Sequence, residues 1–170
     1  GVDMSTGSLG QGISAAAGMA LAAKYQGKTC RVYALLGDGE IQEGQVWEAC
    51  MAAAHYKLDN LVVVVDNNGL QIDGDVAKVM SPYPIDAKLA AFGFHVECID
   101  GHDFDQIEAA LNKAKTVKGQ PCAIVMTTVK GKDVSFMEHN AGWHGKAPND
   151  AEYAQAMKEL DAVLAELEGK

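Results

Sequence analysis

Short apolar runs alternate with Ala-rich or amphipathic stretches along the whole chain. Residues 31–36 form one such run, closed by Gly37-Asp38-Gly39, and read as a buried strand. Leu61-Val-Val-Val-Val65 is continuous and β-branched, the mark of a strand covered on both faces. Residues 94–99 and 121–129 add two further strands. Between them, residues 11–26 are rich in Ala and stop at Gly27, as a helix with a Gly end does. The small residues around Gly18 suit close helix packing. Residues 43–57 return to helical composition, and 86–92 form a short helix. Residues 71–84, with Gly74, Pro82 and Pro84, read as loop. Asp103 opens a helix with Gln106 three residues on, as in a capping box, and its apolar face runs Phe104, Ile107, Leu111, Ala114. Asn149 and Glu152 open a last helix. The stripe Tyr153, Met157, Leu160, Leu164 and Leu167 along it is read as core in preference to partner surface.

Apolar strands separated by helices build βαβ units. The expected fold is therefore α/β, a doubly wound, mostly parallel sheet with helices on both faces. A chain of 170 residues without repeats or low-complexity tracts fits a single domain over 1–170. The apolar runs are strand-length and too short to cross a bilayer. The net charge of −9, without a basic stripe, argues against nucleic acid. Cys30, Cys50, Cys98 and Cys122 are scattered, which disfavours structural zinc and a disulfide framework and suits a reducing cytoplasm. Residues 1–10 read as loop with no initiator Met, so the chain is expected to be cut from, or processed out of, something longer.

In such sheets ligands gather at the carboxyl ends of the strands. Two loops there carry candidate chemistry, Gly37-Asp38-Gly39 and Asp66-Asn67-Asn68-Gly69. Joined by one helix, the two strands should be parallel neighbours with tips roughly 5 Å apart. Asp38 and Asn68 then offer two oxygen ligands to one hard cation; magnesium takes a few ligands from protein and the rest from water and phosphate. The glycines beside Asp38 permit close approach of a diphosphate, and the amino end of the following helix favours an anion. Either loop alone is a common turn or strand exit. Together, on successive strands, they make a specific signal.

The pair Gly37-Asp38-Gly39 and Asn67-Asn68 resembles the thiamine-diphosphate motif, which opens with GDG and closes with an Asn pair about thirty residues on. GDGEIQEGQVWEA (37–49) and DNNGLQIDG (66–74) resemble transketolases in particular, especially those split into two chains, of which this is similar to the amino-terminal one. TGSLGQGIS (6–14) and GWHGKAPN (142–149) extend the resemblance over nearly the whole chain. It implies thiamine diphosphate and Mg2+ as cofactors, with Ca2+ a possible substitute. It makes Asp38, Asn68 and the Leu70 carbonyl the metal ligands. It also places Gly7, Leu9, Gly37, Gly39, Glu40, Asn68, Ile72 and Val129 at the cofactor. His144 falls where the family reaches diphosphate and substrate, while Glu43 and Glu48 fall at a subunit interface connecting two active sites, Glu43 with a catalytic share. Without the resemblance His144 is an exposed loop polar residue, and Glu40 and Glu43 complement a helix dipole. Asp133, in Val129-Lys-Gly-Lys-Asp133, stands where a small residue is expected, and its carboxylate should weaken cofactor binding.

By the same resemblance the glutamate needed against the aminopyrimidine ring comes from a pyrimidine-binding domain that this chain does not contain. The upstream Gly-His-Pro segment is also absent. The expectation is a cofactor-anchoring half-site. With a carboxyl-terminal subunit it would transfer a two-carbon glycolaldehyde unit between ketose and aldose sugar phosphates, as in the pentose phosphate pathway. The assembly would be a homodimer or heterotetramer, and an exposed apolar patch would mark the missing contacts. The same anchor would serve a 2-oxo-acid dehydrogenase component or a deoxyxylulose-phosphate synthase, and an isolated fragment could bind cofactor without turnover. A plain Rossmann-type nucleotide binder is disfavoured because no GxGxxG follows the first strand.

Overall fold

A computed structural model describes residues 1–169. The elements follow in the order α1 (Gln11–Tyr25), β1 (Val32–Gly37), a 3-10 turn (Glu40–Gln42), α2 (Gly44–His55), β2 (Leu61–Asn67), β3 (Leu70–Gln71), β4 (Gly74–Asp75), α3 (Val76–Met80), α4 (Ile85–Ala91), β5 (His95–Asp100), α5 (Phe104–Thr116), β6 (Cys122–Thr127), a second 3-10 turn (Ala141–Trp143) and α6 (Asp150–Glu168). The main sheet has the order β1-β2-β6-β5, and every pairing in it is parallel.

Side-chain alternation divides the core in two. Val32, Ala34 and Leu36 of β1, Leu61, Val63 and Val65 of β2, and Ala123 and Val125 of β6 face α1, α2 and α4. Val62, Val64, Cys122, Ile124 and Met126 face the other way, against Ala110, Leu111 and Ala114 of α5. This follows from chirality. The step from β1 to β2 and the step from β5 to β6 run in opposite directions along the sheet, so right-handed crossovers put α2 and α5 on opposite faces. The central strand β2 is buried on both faces, as its continuous β-branched run requires.

The second face is only half covered. Tyr33 and Leu35 of the edge strand β1 point away from α1 and α2 and are 48% and 70% exposed. Four further expectations are corrected here. Residues 71–84 are not plain loop, because a two-residue hairpin (β3–β4) and α3 form there, the latter capped by the Asp75 carboxylate on the Ala77 N–H. Gly18 packs against nothing; the close contact of α1 is carried by Ala16, Ala17 and Ala20 instead. Phe104 lies outside the apolar face of α5 and is exposed, since the first turn of that helix overhangs the end of the sheet. The stripe on α6 is surface, with Tyr153, Met157, Leu160, Leu164 and Leu167 all exposed and only Ala156 buried.

Local signals at helix starts hold well. Asn149 and Glu152 form a reciprocal capping box, and Asp103 accepts from the Asp105 and Gln106 N–H groups. Gln106 does not close its own box, because its amide oxygen accepts instead from the Asp100 N–H. The four cysteines are free thiols. Among the described residues no helix is long and apolar enough to cross a membrane.

A charged tie secures the end of the sheet opposite the β1 and β2 tips. The Asp59 carboxylate accepts from the Gly119 N–H at 3.0 Å and pairs with Lys24 at 3.1 Å, joining α1 to the turns before β2 and β6. The Gly119 N–H and then the Lys24 ammonium, against a smaller opposing effect of burial, hold this carboxyl below the usual carboxylate range. A folded-state pKa below the unfolded one contributes stability that is present above about pH 4 and is lost as pH falls through the folded value. Asp59→Ala is therefore expected to lower stability by about 1 kcal/mol at neutral pH. The gap to the parent protein should close below about pH 3, as read by thermal unfolding across that range.

Candidate cofactor site at the tips of β1 and β2

Register places the two candidate loops side by side. Gly37 pairs with Asp66, and the Asp38 N–H continues the ladder by donating to the Asp66 carbonyl at 3.1 Å. Among the described residues Asp38 is the one buried charged residue, only 1% exposed. Its carboxylate accepts from the Gly39 N–H at 2.8 Å and the Gly69 N–H at 2.6 Å, so it locks both loops together. Burial pushes this carboxyl above the usual range; the two N–H groups oppose the shift, and the nearby Asp66 carboxylate adds to it. No Lys or Arg pairs with Asp38 or Asp66 among the described residues.

Asn68 stands between these carboxylates. Its amide donates to Asp66 at 3.0 Å, and its oxygen accepts from the Leu70 N–H at 2.9 Å. Each carboxylate or amide oxygen keeps a lone pair beyond those used here. Among the described residues no three His, Cys, Asp or Glu side chains converge on a common point. The expected donor set is of another kind, with one carboxylate, one amide oxygen and one backbone carbonyl. A divalent cation would be a fitting counter-charge, since two neighbouring carboxylates, one of them buried, otherwise lack compensation.

The surrounding loops are tied to this centre. Glu40, expected at the cofactor, accepts with its two carboxylate oxygens from the Gly10 N–H at 2.9 Å and the Gly37 N–H at 3.2 Å. It clamps the 1–10 segment onto the exit of β1. A 3-10 turn lies between Asp38 and α2, so the helix following Asp38 does not begin at the loop itself; Glu43 occupies its N-cap without a side-chain cap bond. The two glycines beside Asp38 also differ. Space beside Gly37 is open, whereas a Cβ on Gly39 would come 2.9 Å from the Gln71 Cβ. Gln71 is in turn bonded to Gln42 at 2.6 Å.

Of the expected cofactor set, Leu9 and Ile72 are exposed at 57% and 69%, the space beside Gly7 is open and Leu70 is half-buried. Glu43 and Glu48 are exposed on α2, and neither side chain makes a hydrogen bond or ion pair among the described residues. His144 is exposed at the end of the 3-10 turn Ala141–Trp143, which packs against β4. That turn is held by the Trp143 indole N–H on the Phe136 carbonyl at 2.9 Å and by Lys146 lying 4.1 Å above the Trp143 ring.

Sequence reasoning passed over several residues that brace the centre. Asp66 lies within the DNNG string and accepts from the Thr128 hydroxyl and from Asn68, joining the exits of β2 and β6. The Tyr83 hydroxyl donates to Asn67 at 3.1 Å from inside the segment read as loop. The His102 ring accepts the N–H of Val129, at the β6 exit, at 2.8 Å. Only Asp66 had a sequence signal; the others depend on contacts across many residues.

With this geometry, the comparisons with known proteins agree. Residues 1–163 match the family described as transketolase, thiamine diphosphate binding domain. The chain is 44% identical over 161 residues to a 6-deoxy-6-sulfo-D-fructose transketolase subunit of Clostridium sp. (strain MSTE9), covering 95% of this chain and 58% of that protein. It is 39% identical to an apulose-4-phosphate transketolase subunit of Phocaeicola vulgatus over 99% of this chain and 60% of the relative, and 47% identical to human transketolase over 85% of this chain and 23% of that protein. In structure it is similar to transketolase from Campylobacter jejuni, with a TM-score of 0.87 and 35% identity over 94% of this chain and 26% of that one. The chain belongs to the transketolase thiamine diphosphate-binding domain family. It spans a little under three fifths of the length of the first of these subunits.

Asp133 adopts φ 66°, in the left-handed region that favours Gly, and its carboxylate pairs with Lys132. Asp133→Gly is expected to stabilise the fold by about 1 kcal/mol through relief of that backbone conformation, raising the unfolding midpoint by about 3 °C. An unchanged or lower midpoint in thermal unfolding would count against it.

Proposed function

We propose that this chain anchors thiamine diphosphate and a divalent cation as one half of a transketolase active site, completed by a second chain. The observation that carries the reading is the Asp38 carboxylate, buried at the tip of β1 and hydrogen-bonded to both strand-exit loops, with Asn68 beside it and no cationic side chain to balance it. In this reading Asp38, Asn68 and the Leu70 carbonyl would hold magnesium, with calcium a possible substitute, and the metal would supply positive charge to neutralise the diphosphate. Gly7, Leu9, Gly37, Gly39, Ile72 and Val129 line the cofactor. Glu40 contributes by fixing the loop that carries Gly7 and Leu9. When bound, thiamine diphosphate supplies the carbanion chemistry that breaks and forms carbon–carbon bonds.

His144 reaches toward diphosphate and substrate, donating hydrogen bonds to phosphate or hydroxyl oxygens. Glu43 and Glu48 face a neighbouring subunit, Glu43 with a share in coupling the two sites. The pyrimidine-binding domain and its glutamate belong to a carboxyl-terminal partner subunit, in a homodimer or heterotetramer of the cytoplasm, and 1–170 is a single diphosphate-binding domain. The complex would move a two-carbon glycolaldehyde unit from a ketose phosphate to an aldose phosphate. The names of the relatives as transketolase subunits support the transfer reaction; one names a sugar phosphate, apulose 4-phosphate, and the other a sulfonated fructose.

Calorimetry of the chain, alone and with its partner, should show thiamine diphosphate binding that requires magnesium and is lost in Asp38→Ala. Binding that needs no cation, or that survives the substitution, would overturn the metal assignment. The complex should consume xylulose 5-phosphate and not pyruvate, and the chain alone should consume neither; turnover by the purified chain would refute the half-site reading.

A further inference from the structure

The turn Asp100-Gly101-His102 leaves β5 beside the β6 exit, because the parallel register pairs Asp100 with Thr127. Three contacts seat it there. The Gly101 N–H donates to the Thr127 carbonyl at 2.9 Å. Gly101 has no room for a side chain, since a Cβ would collide with the Thr128 methyl and come 2.9 Å from the Met126 Cβ. The His102 N–H donates to the Asp100 carboxylate at 2.9 Å, which orients the residue.

So placed, the His102 ring accepts the Val129 N–H on Nε2 at 2.8 Å. That nitrogen must present its lone pair, so the ring proton of the neutral imidazole sits on Nδ1. Val129 lies two residues past the end of β6, beyond the ladder, and its N–H would otherwise turn to water. The preceding residue is held from the opposite side, the Thr128 hydroxyl donating to Asp66, which also binds Asn68. Two successive residues are thus gripped by the exits of different strands, Thr128 from β2 and Val129 from β5. A groove of about 550 Å³ opens along this seam, with His102, Thr128 and Val129 in its wall.

We infer that His102 is a positioning residue, which sets the direction of the Val129 loop against the cofactor through the Val129 N–H. This rests on the reading of Val129 as a cofactor contact. In this assignment the ring acts through the Val129 N–H and is not itself a cofactor contact. It acts by removing the freedom of a loop that otherwise has to be ordered when the cofactor binds.

The test compares His102→Leu, which removes the acceptor, with His102→Gln, whose amide oxygen replaces Nε2. Hydrogen exchange of the chain should show the Val129 amide exchanging about ten-fold faster in the Leu variant and at the parent rate in the Gln variant. In the complex with the partner subunit, the dissociation constant for thiamine diphosphate with magnesium should rise about ten-fold in the Leu variant and recover in the Gln variant. The kcat at saturating cofactor should stay within about two-fold of the parent in both, because the ring makes no contact with reacting groups. An unchanged Val129 amide, or a Leu variant that binds cofactor as tightly as the parent, overturns the assignment. A Gln variant as weak as the Leu variant does so as well, since a merely space-filling role would then suffice. If the parent complex binds no thiamine diphosphate, the reading of the site fails and this inference with it; if the parent binds and only the Leu variant is unaffected, the inference alone fails.

Discussion

A carboxylate buried without a cation is costly, and Asp38 is placed where only backbone N–H groups can answer it. Those two donors belong to different loops, so the same group that carries the charge also fixes the spacing of the β1 and β2 exits. Asp66 repeats the arrangement one strand over, taking the Asn68 amide and the Thr128 hydroxyl and drawing in the exit of β6. Glu40 draws in the 1–10 segment. Three acidic side chains thereby tie four segments together at the strand exits.

The scaffold that holds these loops is rigid where it must be. β2 is covered on both faces and lies between β1 and β6, so the loops that follow all three strands share one buried reference. Away from that reference the molecule is bare. Tyr33 and Leu35 leave half of one sheet face open, Leu9 and Ile72 are exposed, and α6 presents a stripe of exposed Leu and Met. Contiguous apolar surface of this kind is a feature of interaction sites.

Much of this was legible in the amino-acid order. The strands could be read from their β-branched runs, because a strand buried on both faces leaves no room for polar residues. The helix starts at Asp103 and Asn149 could be read because capping is a contact over three residues. The pairing of Gly37-Asp38-Gly39 with Asn67-Asn68 was visible because one helical crossover makes the two strands neighbours. What failed did so where no local signal reports a neighbour. Phe104 and the α6 stripe were assigned by periodicity, which marks a face of a helix and says nothing of whether another element lies against it; Gly18 was assigned by its small size, which permits close packing without supplying a partner. The segment 71–84 was read from its Gly and Pro content, and those residues do not forbid a two-residue hairpin or a five-residue helix between them.

The sequence by itself determined the class of fold, the succession of the main-sheet strands and the helices between them, and the identity of the residues at the two strand tips, since each follows from local pattern or from a single crossover. Tertiary structure alone decided how those residues are held. That Thr128 reaches Asp66 across 62 positions and that His102 meets Val129 across 27 depends on the sheet order β1-β2-β6-β5. The insertion of β6 between β2 and β5 brings three strand exits from distant parts of the chain into hydrogen-bonding reach, and no local spacing encodes that.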